Sequence, residues 1–161
     1  MRSLLRSIVV GSGLAVLVSS SPLGAQTADN FIGTWKLNTA QSKYTPGPGP
    51  KELTVTFEKV GTTGVKVTAK GTNGDGTPIN NVYTATYDGK DVPVTGSQDY
   101  DMASLKMLDA NTRHTVRKKG GKEVQTLHSV VSKDGKHYTT TTTGVNAKGE
   151  KISSTSVFDK Q

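Results

Sequence analysis

The stretch "NFIGTWKLN", residues 30–38, decides the fold, because its large apolar side chains recur at every second position. In an extended chain, Phe31, Trp35 and Leu37 project to one side together with Gly33, and mostly polar residues project to the other. Alternation with a period of two is typical of a β-strand with one buried face. We therefore predict a strand at 31–38 that carries Trp35, the only tryptophan of the chain, into an interior.

The same alternation recurs along most of the chain, and no segment shows the pattern of an amphipathic helix. It predicts ten strands at residues 31–38, 51–59, 64–71, 78–87, 90–95, 99–107, 112–118, 122–132, 136–143 and 150–158. Tight-turn dipeptides join several of them, as at Asp88-Gly89, Gly120-Gly121 and Asp134-Gly135. Sequential antiparallel strands form an up-and-down meander, and closure removes its exposed edges. The expected fold is all-β, a barrel of about 8–10 strands, with a β-sandwich as the alternative.

The turn dipeptides also predict which side chains share a face. The turn at Asp88-Gly89 places Tyr83 opposite Val94 and puts Tyr87 on the same apolar face. The next two turns predict one interior face made of His114, Val116, Gln125, Leu127, Ser129, Val131, Tyr138, Thr140 and Thr142. The outer face then takes Arg113, Arg117, Val124, His128, Val130 and His137.

Residues 1–25 have the layout of a secretory signal peptide. Arg2 and Arg6 precede a short apolar core at 8–18, and cleavage is expected after Ala25 or, alternatively, after Ala28. We expect an exported protein, periplasmic or secreted, without a transmembrane segment in its mature part. Residues 26–161 then form one lipocalin-like β-barrel domain, a size that suits a single core.

The composition excludes several classes of function. The chain has no cysteine, which rules out disulfides, thiol chemistry and iron–sulfur clusters. Removal of two arginines with the signal peptide lowers the formal charge from +7 to +5, and no run of like charges or basic–aromatic pattern suggests nucleic-acid binding. We expect no cofactor and no metal site, and the sequence does not indicate an oligomeric state.

The connection "TAQSKYTPGPGPK", residues 39–51, breaks the pattern of short turns. Its alternating prolines and glycines predict an extended loop, because proline cannot donate a ladder hydrogen bond. Asn38 is expected to cap one short turn at its start, and Tyr44 to pack back on the barrel. The loop is interpreted as a stiff crossing over one barrel end, with a ligand lid as the alternative.

The stretch "FIGTWKL" resembles the first strand of the calycins, which comprise the lipocalins and the intracellular fatty-acid-binding proteins. Ten strands, the turn Asp134-Gly135-Lys136 and the ending Phe158-Asp159-Lys160 are similar to the fatty-acid-binding branch. The whole arrangement also resembles a family of exported bacterial lipocalin-like proteins. In a barrel of this kind Trp35 is expected to plug the closed end, and Gly33 to leave room for a ring or a crossing backbone.

The resemblance does not extend to the fatty-acid site. That site holds the carboxylate with an Arg-x-Tyr in the last strand, where this chain has Ser156-Val157-Phe158. The second arginine of the site is also missing, since it would fall near Val130. Residues 39–51 leave no room for the paired helices of the family's portal. Carriage of fatty acids in that manner is not expected, because a carboxylate buried without a cationic partner is costly.

The remaining residues favour binding over catalysis. No nucleophile elbow or calcium-loop spacing occurs, so we expect no enzyme. We predict instead that the barrel binds a small neutral hydrophobic or amphipathic molecule in its interior. The alternative is a structural or interaction module of the envelope with a filled core and a basic outer face that includes Arg113 and Arg117. The candidate ligand-binding residues are Tyr83, Tyr87, His114, Gln125, Ser129 and Tyr138.

Overall fold

The computed structural model describes residues 28–161 and confirms an all-β fold of ten antiparallel strands. The strands are β1 (Gly33–Leu37), β2 (Glu52–Val60), β3 (Gly64–Thr72), β4 (Pro78–Thr86), β5 (Val92–Pro93), β6 (Met102–Asp109), β7 (Thr112–Lys119), β8 (Lys122–Val131), β9 (His137–Val145) and β10 (Lys151–Lys160). Between residues 28 and 161 there is no helix that is long and apolar enough to cross a membrane. The predicted signal peptide lies outside the described residues.

All ten strands belong to one sheet, in the order β4-β3-β2-β1-β10-β9-β8-β7-β6-β5. The sheet curls until its two edges meet, so the molecule is a nearly closed barrel and not a sandwich of two sheets. Closure rests on two short contacts. Val82 of β4 exchanges both backbone hydrogen bonds with Thr95, at 3.0 Å each, and the amide of Gly89 donates to the carbonyl of Leu105 at 3.0 Å. The first of these contacts agrees with the predicted register of the turn at Asp88-Gly89.

The turn at Asp88-Gly89 nevertheless does not open a regular hairpin. Asp88 forms an isolated bridge with Lys106, so the chain leaves β4 there and runs beside β6. β5 is consequently only two residues long and pairs with β6 through Val92 and Ala103. The predicted long fifth strand is thus shortened, because these residues join the two edges of the barrel.

The predicted interior face is correct for β8 and β9 and wrong for β7. Near Gly120-Gly121 the pairing begins as expected, with Lys119 opposite Lys122 and Lys118 opposite Glu123. The next pair is Arg117 with Gln125, so one residue of β8, Val124, is left over as a β-bulge. An extra residue shifts the register by one, and such a shift moves every later side chain to the opposite face.

The bulge therefore turns the faces of β7 over. The observed partners are Thr115 with Leu127 and Arg113 with Ser129, and both Arg113 and Thr115 are buried. His114 and Val116, which were predicted to lie inside, are on the outer face instead. The pairing of β8 with β9 agrees with the prediction, as shown by Val131 opposite Tyr138 and Ser129 opposite Thr140.

The loop at 39–51 lies along β10. The amide of Gln41 donates to Oδ1 of Asn38 at 3.1 Å, which confirms the predicted cap. Further along, the hydroxyl of Tyr44 lies 2.9 Å from that of Ser156, and Gly49 passes against the Tyr44 ring. Ser156 stands at one of the two positions that the resemblance to fatty-acid-binding proteins assigns to a carboxylate clamp. In this chain its hydroxyl is bonded to the chain's own Tyr44.

Candidate functional site

The two ends of the barrel interior differ in burial and in polarity. Interior side chains near the turn between β8 and β9 are almost fully buried, as Trp35, Val65 and Leu105 show. Interior side chains near the loop at 39–51, such as Leu53, Ile79 and Asn81, are only half-buried. The interior is therefore more exposed at the end near the loop at 39–51 than at the end near the turn between β8 and β9. A ligand that entered the barrel would pass through the half-buried end.

The buried end is filled by an aromatic cluster, which consists of Phe31, Trp35, Phe57, Tyr138 and Phe158. Tyr138 stacks on Phe158 with ring centroids 4.4 Å apart and meets Trp35 edge-on at 5.0 Å. The indole Nε1 of Trp35 donates to the carbonyl of Phe31 at 2.7 Å. Gly33 has a φ of +131°, and a Cβ on it would lie 3.2 Å from Cε of Lys160. The space beside Gly33 thus accommodates a lysine stem, not the tryptophan ring.

Arg113 lies beneath this cluster and forms a buried ion pair. Its Nη2 donates to both carboxylate oxygens of Asp29, at 2.9 and 2.8 Å, and to the hydroxyl of Tyr87. That hydroxyl donates in turn to Asp29. The guanidinium carbon also lies 4.1 Å from the ring centre of Phe31 and 4.5 Å from that of Phe57. Arg113 therefore ties the N-terminal segment to the barrel wall, and its hydrogen bonds and ring contacts are made to the protein itself.

The half-buried end contains a different arginine in a different environment. We call this set, Asn81, Tyr100, Arg117 and Gln125, the polar end. Arg117 Nη1 donates to Oε1 of Gln125 at 3.0 Å, and its guanidinium carbon lies 4.3 Å from the ring centre of Tyr100. The hydroxyl of Tyr100 accepts from Nδ2 of Asn81 at 3.1 Å. Three polar side chains thus position one cation inside the barrel.

Arg117 has no acidic partner among residues 28–161, since none of the ion pairs found there includes it. Its Nε is buried without a hydrogen-bond acceptor. A guanidinium presents five N–H donors, and Arg117 makes one hydrogen bond to a protein acceptor within the described part of the chain. A partly buried cation without a counter-charge is costly, and an anionic or strongly accepting group would remove that cost.

The structure places five of the six predicted ligand-binding residues on the inner face of the barrel. Gln125 belongs to the polar end, Tyr83 and Tyr138 are buried, and Ser129 exchanges a 2.7 Å hydrogen bond with Thr140. Tyr87 is half-buried and already bonded to Asp29. His114 is on the outer face because of the bulge in β8, so its predicted interior position is wrong. A role of these residues in binding stays a prediction.

Arg113 and Arg117, which were predicted to lie on the outer face, are inside the barrel. Their charge favoured the outer face, since charged residues are rarely buried without partners. The alternate positions of Arg113, Thr115 and Arg117 along β7 do predict that the three side chains share one face. Only the position of the bulge decides which face is inward.

Burial changes the ionisation of the interior tyrosines. It raises the pKa of Tyr83 from 10.0 to about 12, with Arg117 and Arg113 acting in the opposite direction. Burial also raises the pKa of Tyr138 and of Tyr87. A raised pKa means that the folded state keeps the phenolic proton that the unfolded chain releases above pH 10. Each such tyrosine therefore stabilises the fold less as the pH rises from about 10 to 12.

We predict that the free energy of unfolding falls over this pH range by roughly 1.4 kcal/mol per pH unit for each fully buried tyrosine. Urea unfolding at pH 9.5, 10.5 and 11.5 measures the slope. Tyr83→Phe keeps the ring and removes the titrating hydroxyl. The fall in its free energy of unfolding per pH unit should therefore be smaller than that of the wild type by the contribution of one tyrosine. Equal slopes for Tyr83→Phe and the wild type would contradict the assignment.

Within the described residues, a cleft and a groove lie outside the barrel interior. A cleft of about 700 Å³ adjoins Asp29 and Tyr87, where the apolar side chains of Ile32 and Met107 form part of its wall. A groove of about 620 Å³ crosses the outer faces of β1, β2 and β3 and is lined in part by Lys36, Thr54 and Lys70. Neither includes Arg117 or Gln125.

The strand order and the single curled sheet define a nearly closed, ten-stranded up-and-down β-barrel. The fluorescent protein UnaG has a similar structure, at 12% identity and a TM-score of 0.52, over 81% of this chain and 97% of that one. A redesigned β-barrel matches 86% of this chain and 97% of its own, at 15% identity and a TM-score of 0.48. Zebrafish ileal bile acid-binding protein, complexed with cholic acid, matches 83% and 100% at 12% identity and a TM-score of 0.48. No protein-family model and no curated protein sequence matches the chain.

Proposed function

We infer that this protein is an exported, non-enzymatic carrier that binds one small amphipathic molecule through the polar end of its barrel. The observation that supports this function most is Arg117, a cation inside a barrel that has no acidic partner in the described part of the chain. Barrels of this size commonly hold one small ligand in the interior. Export rests on the sequence of residues 1–25 alone.

The charge of Arg117 changes the expected ligand. The sequence predicts a neutral ligand because it places Arg117 on the outer face. With its guanidinium inside, the ligand that complements the site carries a carboxylate, sulfonate or phosphate, or at least a strong acceptor. Apolar walls toward the aromatic cluster, such as Tyr83 and Leu127, would contact the rest of the molecule. This arrangement differs from the fatty-acid clamp, whose last-strand residues are replaced here by Ser156 and Phe158.

A pair of fluorescent probes tests this function. 1-Anilinonaphthalene-8-sulfonate is an anionic amphipath, and N-phenyl-1-naphthylamine is a closely similar molecule without the charge. We expect the wild type to bind the anionic probe more tightly than the neutral one. In Arg117→Met the anionic probe should bind about 10- to 100-fold more weakly, the loss expected for one hydrogen-bonded charge, and the neutral probe should bind as before.

Lys118→Met is the matched control, because Lys118 is the next residue, lies on the outer face and pairs with Asp91 at 2.7 Å. It should leave both affinities unchanged. Equal loss in both variants, or equal loss of both probes in Arg117→Met, would contradict an interior anion site. Native mass spectrometry of the protein purified from its own host would then identify the natural ligand, and an empty barrel in that experiment would oppose carriage.

The outer groove favours a second candidate function, that of an envelope interaction module. Lys36 and Lys70 lie on either side of Thr54 in one row across three strands, and this row lines the groove of about 620 Å³. Two cations beside threonine hydroxyls are suited to an acidic surface. Arg113 and Arg117 do not contribute to it, because both lie inside the barrel. Retention on a polyanion column that is abolished in Lys36→Glu/Lys70→Glu, with probe binding unaffected, would favour this second function.

A further inference from the structure

The outer face of the barrel places two histidines directly opposite each other. His114 of β7 pairs with His128 of β8 in the observed register. Their chain neighbours Arg113, Thr115, Leu127 and Ser129 are all buried, so both imidazoles project outward on the same side of the sheet. The sequence alone separates the two, and its predicted register placed them on opposite faces. The bulge in β8 is what brings them together.

We propose that His114 and His128 form a surface site for a divalent transition-metal cation. Directly opposed residues of an antiparallel pair have Cβ atoms about 4.5–5.5 Å apart, within reach of two imidazoles that share one ion. In a tetrahedral site with metal–nitrogen bonds of about 2.0–2.1 Å, the two nitrogens would lie about 3.3 Å apart. Imidazole suits zinc, copper and nickel, and neutral imidazole is the ligand form.

The neighbours in the same row leave the site open. Thr141 of β9 flanks His128 and presents a hydroxyl. Lys106 of β6 is the charged residue opposite His114. Its side-chain stem lies over Gly89. Gly89 is on the side of β6 that faces away from β7, so the Lys106 stem extends away from His114. No cluster of three or more histidine or acidic ligands occurs within residues 28–161. Two protein ligands thus leave the other coordination positions to water or to a group from a second molecule.

Isothermal titration of the tag-free protein with Ni²⁺ tests the site. We expect one Ni²⁺ per chain in the wild type, and His114→Gln and His128→Gln should each weaken binding at least tenfold. His137→Gln is the matched control. His137 is the third histidine of the chain, is exposed and has its Nδ1 2.7 Å from Asp159 Oδ1, so its loss should leave the affinity unchanged.

A second readout separates ligation from an effect on folding. Saturating Ni²⁺ should raise the melting temperature of the wild type and of His137→Gln but not that of His128→Gln, because an ion that binds only the folded state stabilises it. His114→Gln and His128→Gln should melt like the wild type in metal-free buffer, since both side chains lie on the outer face. The proposal would be overturned if the wild type did not bind Ni²⁺, or if His114→Gln and His128→Gln kept the wild-type affinity. An equal loss of affinity in His137→Gln would overturn it as well.

Discussion

Replacement of Asp29 by alanine should lower the free energy of unfolding by about 3–5 kcal/mol. The side chain of Arg113 is only 3% exposed and that of Asp29 14% exposed, so this ion pair is buried. Without the carboxylate, the Arg113 guanidinium would lose its bidentate partner and remain as an uncompensated charge beneath the aromatic cluster. Urea unfolding at pH 7, followed by the fluorescence of Trp35, measures the change.

Asp91→Ala provides the matched control, since it removes a carboxylate of the same length that pairs with Lys118 at a similar distance, 2.7 Å. This pair is about one-third exposed, and loss of a pair of this kind typically costs less than about 1 kcal/mol. The double variant Asp29→Ala/Arg113→Met should be more stable than Asp29→Ala alone, because an apolar side chain leaves no unpaired charge. If Asp29→Ala had only a small effect, the Asp29–Arg113 pair would not be a source of folding stability. A double variant less stable than either single variant would lead to the same conclusion.

The contrast between these two ion pairs also explains what the sequence could and could not predict. Alternation predicts strands from local residues, and nine of the ten strands lie close to their predicted bounds, whereas β5 is shortened to Val92–Pro93. The Asp29–Arg113 pair joins residues far apart in the chain, and Asp29 precedes the first strand. No local sequence pattern indicates that Arg113 on β7 forms an ion pair with Asp29.

The misassigned face of β7 has an equally physical cause. Its sequence, "TRHTVRKK", contains one apolar residue, Val116, so neither face is marked as the buried one. Its assignment depended on a register counted from the turn at Gly120-Gly121, and a single bulge reverses that count. β8 and β9 were assigned correctly because Leu127, Val131 and Tyr138 mark their inner faces independently. The wrong faces predicted for Arg113, His114 and Arg117 all follow from the one extra residue.

The calycin-like Gly-x-Trp motif was informative for a related reason, because a large apolar side chain marks its own face. Trp35 is 0% exposed and contacts Tyr138 edge-on at 5.0 Å, while its indole nitrogen donates to Phe31. Tyr138 meets four other aromatic rings of the cluster. Trp35 therefore occupies a position where no smaller side chain could preserve both the packing and the hydrogen bond.

Trp35→Ala should accordingly lower the free energy of unfolding by about 3–5 kcal/mol, through lost burial and the cavity that the indole leaves. Small domains are stable by only about 5–15 kcal/mol, so this variant should be partly unfolded at 37 °C. Trp35→Phe is the control: it keeps a ring, loses the bond to the Phe31 carbonyl and part of the volume, and should cost roughly 1–3 kcal/mol. Circular dichroism during urea unfolding compares both variants without the tryptophan signal. If Trp35→Ala were no less stable than Trp35→Phe, packing of the aromatic cluster would not be what stabilises this end of the barrel. The ion pair of Arg113 with Asp29 would then be the main stabilising contact there.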